Sequence, residues 1–160
     1  MPEPKRKMHY VCGDERMLDD IAELWDGLRN HHQSHSKDFK QYYAELTFER
    51  RKVALLEKTR GGKIRVDVAF DEASGGKVGY CISSINQSKI GEVNSIYVAQ
   101  DHRRLTVGDA LMRKALAWMD AEGAESKIVE VGAGNEEAFS FYARYGFVPR
   151  STLLKQKERV

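Results

Sequence analysis

Between Gly91 and Gly146 the chain collects most of the residues whose chemistry could be put to use. Glu92 is the one acid in the run GEVNSIYVA. A carboxylate placed in a cleft of low polarity has its pKa raised toward the working pH, the range that suits a proton-abstracting base. Arg103 and Arg104 follow in a polar turn ahead of a helical pattern. The first N–H groups of a helix lack internal partners and the dipole is positive there, so this junction favours a phosphate. Tyr142 carries a phenol with an ordinary pKa of ~10, able to protonate a leaving group at neutral pH. It could equally be a core aromatic on a face shared with Ala138 and Tyr145. Earlier in the chain, His31 and His35 stand four apart with His32 beside them. Imidazoles at that spacing on a helix can share a metal ion, but no Cys or paired carboxylate in the sequence pattern completes a ligand set. The expectation is a polar helix end and no metal.

Hydrophobic periodicity supplies the elements that must hold these groups. Met8–Cys12 reads as a short first strand, and Asp14 as the cap of a helix whose Leu18, Ile21, Trp25 and Leu28 recur at helical spacing. Ser36 is placed to cap a second helix with Phe39, Tyr42, Tyr43 and Leu46 on one face. Helical character resumes over Phe48–Lys58 and stops at Gly61-Gly62. From Lys63 the period falls to two, with Ile64, Val66, Val68 and Phe70 on one side of a strand. Ser74-Gly75-Gly76 turns the chain into a returning strand over Val78–Ile85. Glu92–Ala99 is a further strand, and the helix from about Thr106 keeps Val107, Leu111, Ala115, Trp118 and Met119 on one side. Lys127–Gly132 is a strand, Asn135 the N-cap of a last helix with Glu136 and Glu137 in its first turn, and a closing strand follows Gly146. The order β-α-α-β-β-β-α-β-α-β predicts a single α/β domain spanning 1–160, with helices on both faces of a mixed sheet.

Two motifs inside this frame resemble those of the GCN5-related N-acetyltransferases. The acetyl-CoA signature of that family, Arg/Gln-x-x-Gly-x-Gly/Ala, falls on Arg103, Arg104, Leu105, Thr106, Val107 and Gly108. A second signature, Asn-x-x-Ala-x-x-x-Tyr-x-x-x-Gly-Phe, is complete at Asn135, Ala138, Tyr142, Gly146 and Phe147. The resemblance implies the family's version of the sheet, splayed between its fourth and fifth strands, where acetyl-CoA inserts. It implies that the backbone of Ile96, Tyr97 and Val98 pairs with the pantetheine arm like an added strand. The cofactor contacts it implies are Arg103, Arg104, Leu105, Thr106, Val107, Gly108, Asp109, Asn135, Ala138 and Tyr142. Glu92 then takes the place of a catalytic glutamate acting directly or through water, and Tyr142 that of the acid serving the thiolate. The loop after the first helix borders the acceptor site, which makes His32 and His35 candidates for touching substrate. Acetyl transfer from acetyl-CoA to a primary amine of a small molecule or peptide is the implied activity. The alternative is a protein of the same fold that has lost catalysis and senses acyl-CoA or holds a partner. A homodimer is the assembly that the family most readily suggests.

Thr106 departs from the first signature, where glycine lets the backbone approach a phosphate. Thr106-Val107-Gly108-Asp109 also reads as Ser/Thr-x-x-Asp/Glu, a capping box that would consume N–H donors the pyrophosphate needs. Composition bounds the remaining choices. The 160 residues carry 41% hydrophobic and 31% charged side chains, and 26 basic against 24 acidic residues leave +2. That balance argues against a dedicated nucleic-acid binder, and the basic ends read as solvated tails. MPEPKRKMHYV carries charge but no apolar stretch, unlike a secretory signal, and nothing approaches a membrane span. Two cysteines, Cys12 and Cys81, are expected to be reduced, buried small hydrophobes in a cytoplasmic protein.

Overall fold

The structure, a computed structural model, describes residues 5–104 and 106–157. Among the described residues five strands form one sheet in the order β1 (Met8–Gly13), β2 (Lys63–Asp71), β3 (Lys77–Ile85), β4 (Ile90–Val98) and β5 (Ser126–Val129). The first four pair antiparallel as successive neighbours; β4 and β5 pair parallel. The α-helices of the described residues that flank the sheet are α1 (Ala22–His35), α2 (Lys40–Glu45), α3 (Phe48–Lys58), α4 (Val107–Ala121) and α5 (Ala138–Ala143).

Alternation along β2 and β3 divides the core in two. On one face Val66, Val68, Tyr80 and Ile82 pack against Leu18, Ile21 and Trp25 from the α1 side and Leu55 of α3. On the other, Ala69, Cys81 and Val93 meet the α4 stripe of Val107, Leu111, Met112, Ala115 and Met119, all five at 0% exposure. That stripe is the helical repeat of the sequence, with Met112 in place of the half-buried Trp118. Two glycines permit close layer contacts. A Cβ on Gly27 of α1 would fall 2.6 Å from the Tyr97 hydroxyl, and one on Gly91 2.5 Å from the Met119 sulfur.

Several expectations are corrected. The region after Asp14 begins as a 3-10 turn, Glu15–Ile21, before α1 takes over. Its apolar spacing is satisfied by either winding, and Asp14 does cap it, its carboxylate accepting from the Arg16 N–H at 3.0 Å. The helical stretch expected over Phe48–Lys58 is α3, separate from α2: Thr47 parts the two after Leu46 and caps α3, its hydroxyl accepting from Arg50 N–H at 3.2 Å. No closing strand follows Gly146 among the described residues, so β5 stands at the sheet edge. Pro149 cannot donate to a ladder, and Val148, Leu153 and Leu154 remain exposed. Cys12 is exposed on edge strand β1, whereas Cys81 is buried as expected. No helix among the described residues is long and apolar enough to cross a membrane.

Candidate active site

β4 is the element on which the site is built. It pairs with β3 along nearly its whole length, but its parallel register with β5 covers only Ile90–Ser126, Gly91–Lys127, Glu92–Ile128 and Val93–Val129. Beyond that pair β5 ends while β4 continues, so the sheet parts between its fourth and fifth strands. The parting coincides with a bulge: Ile82 faces Ser95 and Ser83 faces Val93, leaving Asn94 as the extra residue. Both amide atoms of Asn94 are buried without a hydrogen-bond partner among the described residues. Its carbonyl accepts from Arg51 Nη2 of α3 at 3.0 Å. A bulge re-aims the strand and frees polar groups on the opened edge, which is where an amide-bearing ligand would find its partners.

The residues singled out from the sequence distribute themselves around this opening. Ile96, Tyr97 and Val98 lie on the unzipped length of β4, and the Val98 carbonyl accepts from Arg103 Nε at 3.0 Å. The same guanidinium lies 5.5 Å from the Tyr97 ring centroid. Arg104 is exposed, and Leu105 lies outside the described residues. α4 then starts at Val107, with Gly108 and Asp109 in its first turn. Thr106 is the N-cap residue in the left-handed conformation, φ +62°, the conformation that glycine adopts at least cost.

The capping box does not form: Thr106 makes no side-chain cap bond. Asp109 instead accepts from Arg113 Nε at 2.9 Å and from the Tyr145 hydroxyl. A left-handed Thr106 cannot hold its hydroxyl over the helix start as an extended N-cap residue does. The Tyr145 hydroxyl and then Arg113 hold the Asp109 carboxyl below its usual range, and burial with that same bond pushes the Tyr145 phenol up to about 12. α4 and α5 are thereby tied at their ends.

Glu92 is 8% exposed and accepts from Lys58 Nζ of α3 at 2.7 Å. It sits two residues before the parting, on the length of β4 still paired with β5. Tyr142, on α5, packs edge-on against Phe141 and Phe147. Burial pushes its phenol well above the ordinary tyrosine value, with the nearby Cys81 acting in the same direction. Ala138 opens α5.

Asn135 is not the side-chain cap of that helix. Its backbone carbonyl accepts from Ala138 N–H at 3.0 Å, while its amide oxygen accepts from His31 Nε2 at 3.0 Å. The end of α1 comes close enough for this because Gly132 and Gly134 lie against it: a Cβ at Gly134 would fall 2.0 Å from the His35 carbonyl oxygen. His32 stacks on Tyr43 with centroids 5.4 Å apart. Its desolvation, reinforced by the charges of His31, His35 and Arg51, lowers its pKa to about 4. His35 and His31 both face Glu137, at 3.6 and 3.7 Å. Sequence reasoning missed Lys58, Arg51, Asn94 and Tyr43. Only Asn94 left a trace, as a polar interruption of the β4 alternation; the other three are brought in from helices by tertiary packing alone.

With this geometry established, comparison with known proteins is decisive. The family described as "Acetyltransferase (GNAT) family" matches residues 21–147. The chain belongs to this family. An uncharacterized N-acetyltransferase of Methanocaldococcus jannaschii is 33% identical over 82 residues, 48% of this chain and 36% of the relative. An acetyl transferase of Oryza sativa subsp. japonica, GW6a, is 34% identical over 62 residues, 38% of this chain and 15% of the relative. The chain thus spans about a third or less of the curated relatives it matches. Among solved structures, a GCN5-related N-acetyltransferase from Ralstonia eutropha JMP134 superposes with a TM-score of 0.71 at 17% identity, covering 94% of this chain and 99% of that one. An aminoglycoside N-acetyltransferase solved in complex with CoA gives 0.64 at 16% identity, each chain fully covered. At such identities these two likenesses concern the fold.

Proposed function

We propose that this GNAT chain is an acetyl-CoA-dependent N-acetyltransferase that moves an acetyl group to a primary amine of a small molecule or peptide by direct transfer in a ternary complex. The observation that carries the reading is the parting of β4 from β5 at the Asn94 bulge, immediately beside the start of α4. The residues present fit the cofactor. The orphaned amide of Asn94 and the open edge of Ile96, Tyr97 and Val98 offer partners to the amides of a pantetheine arm, Arg103 first releasing the Val98 carbonyl. Thr106, Val107, Gly108 and Asp109, with Arg103 and Arg104, surround the N–H donors of a 15-residue helix, which suit a pyrophosphate. In this reading Asn135, Ala138 and Tyr142 contact the cofactor from the side of α5. When bound, acetyl-CoA supplies an activated acyl group on sulfur.

In this reading Glu92, paired with Lys58, takes the proton of the acceptor ammonium through a bridging water, since its carboxylate is buried on the paired side of the parting. The freed amine would then attack the acyl carbon as the carbon–sulfur bond breaks, with Tyr142 giving its proton to the sulfur and the surplus proton on the nitrogen passing back to the phenolate. Burial keeps that proton on the phenol at neutral pH. His32 and His35 border the acceptor. Holding both reactants in one cleft supplies much of the remaining acceleration.

The experiment is a thiol-release assay with acetyl-CoA and an amine panel, run beside thermal melts. Acetyl-CoA at ~100 times its Kd adds about 2.7 kcal/mol and raises Tm by several degrees. Glu92→Gln and Tyr142→Phe each lower kcat by about 10²–10⁴-fold while keeping that Tm shift. A Tm shift without thiol release favours the second reading, a sensor that binds acyl-CoA without turnover; no shift at millimolar cofactor overturns both.

A further inference from the structure

We propose that His31, His35 and Glu137 form a site for a divalent transition-metal ion of the zinc class, bridging the end of α1 to the loop ahead of α5. This goes beyond the acetyltransferase reading and does not rest on it. The two imidazoles stand four apart on one face of α1, with ring centroids 4.0 Å apart. Glu137, remote in sequence, supplies the carboxylate that the sequence pattern lacked. Its Oε1 lies 3.7 Å from His31 Nε2 and 3.6 Å from His35 Nε2, and the donor atoms of the three residues lie within 4.8 Å of one another. Bonds of about 2.0–2.1 Å around a tetrahedral zinc separate its ligand atoms by about 3.3 Å. Small side-chain rotations therefore bring the set to coordination distance.

The surroundings also suit a metal. His35 Nδ1 lies 2.8 Å from the His31 carbonyl oxygen, so the proton sits on Nδ1 and the lone pair of Nε2 faces the cluster. A backbone carbonyl on the far nitrogen is the usual way a ligating histidine is oriented and made more basic. Asn135 Oδ1 accepts from His31 Nε2 at 3.0 Å in the empty site; a change of tautomer that moves this proton to Nδ1 frees the Nε2 lone pair for the ion and leaves Oδ1 to take a hydrogen bond from a metal-bound water. His35 and Glu137 are exposed, with side chains 36% and 67% accessible, so an ion reaches the site from solvent without opening the fold. Two imidazoles and one carboxylate select zinc and its borderline neighbours over calcium or magnesium, which take oxygen ligands.

The test is calorimetric titration of tag-free, chelator-stripped protein with zinc chloride. One equivalent is expected to bind, with affinity falling at least tenfold in His35→Gln and in Glu137→Gln and staying unchanged in His9→Gln, whose ring lies on β1. Glu137→Gln alters an exposed side chain, and circular dichroism melts establish that each variant is folded. Cobalt in place of zinc should give the intense visible absorption of a four-coordinate site, abolished by the same two substitutions. Titration with magnesium chloride should give no heat of binding. Failure of wild-type protein to bind zinc, or equal binding by wild type, His35→Gln and Glu137→Gln, overturns the proposal.

Discussion

Thr106 and His32 each place a residue where its chemistry is under tension. Threonine is branched at Cβ, and a left-handed backbone crowds that branch, so φ +62° at Thr106 costs more than it would for glycine. Thr106→Gly should therefore stabilise the protein by about 0.5–1 kcal/mol, the relief of strain outweighing the added freedom of the unfolded chain. That corresponds to a Tm rise of roughly 1–4 °C for a chain of this size, measurable by calorimetry. If Tm falls instead, the left-handed turn is not strained. His32 poses a titration problem. Its folded pKa, about 4, lies below its ordinary value, so the unfolded chain binds the extra proton first. The contribution of His32 to stability is complete above about pH 6.5 and drains away as the pH falls from there toward about 4. His32→Phe keeps the stack on Tyr43 and should flatten the decline of Tm over that window. An unaltered decline would place the acid sensitivity elsewhere.

Elements were legible wherever a single period ran long enough. The β2 alternation, the α4 stripe and the limits of α3 were readable because each depends on contacts that the pattern itself encodes. Helix starts were less legible, because the capping rules describe isolated helices and α4 begins inside a cleft. There the first-turn acid serves a neighbour: Asp109 receives Tyr145 from the turn that follows α5, which the sequence alone could not place within reach. A double-mutant cycle of Asp109→Asn and Tyr145→Phe should return a coupling of about 1 kcal/mol, the usual size for a hydrogen bond to a charged group after discounting for partial exposure. The sign with pH follows from the depressed Asp109 carboxyl. The coupling is full above the ordinary carboxylate pKa and is lost as the pH falls through the lowered one. Additive single losses at neutral pH would mean that the bond does not join the two helices.

For the whole molecule, the signatures located the family and the splayed sheet, while the side chains that meet across the site come from positions far apart in sequence. Lys58, Arg51 and Glu137 reach their partners over 34, 43 and 102–106 positions of sequence, the last range spanning Glu137 to His35 and His31. Such approaches depend on how layers stack, and no local pattern records them. The missing closing strand has the same origin, since a strand is defined by a partner and β5 offers only four residues of edge. The short parallel register of β4 with β5 has one more consequence, in the language of amide hydrogen exchange. Past Val93–Val129, successive N–H groups of β4 point alternately toward β3 and toward the opening. The first set is locked until the sheet itself opens, whereas the second can exchange from the folded state. Deuterium uptake over 94–98 should therefore split into a slow and a fast population along one continuous strand. Acetyl-CoA should slow only the fast one, so that the protection pattern counts, residue by residue, how far the cofactor lies along β4.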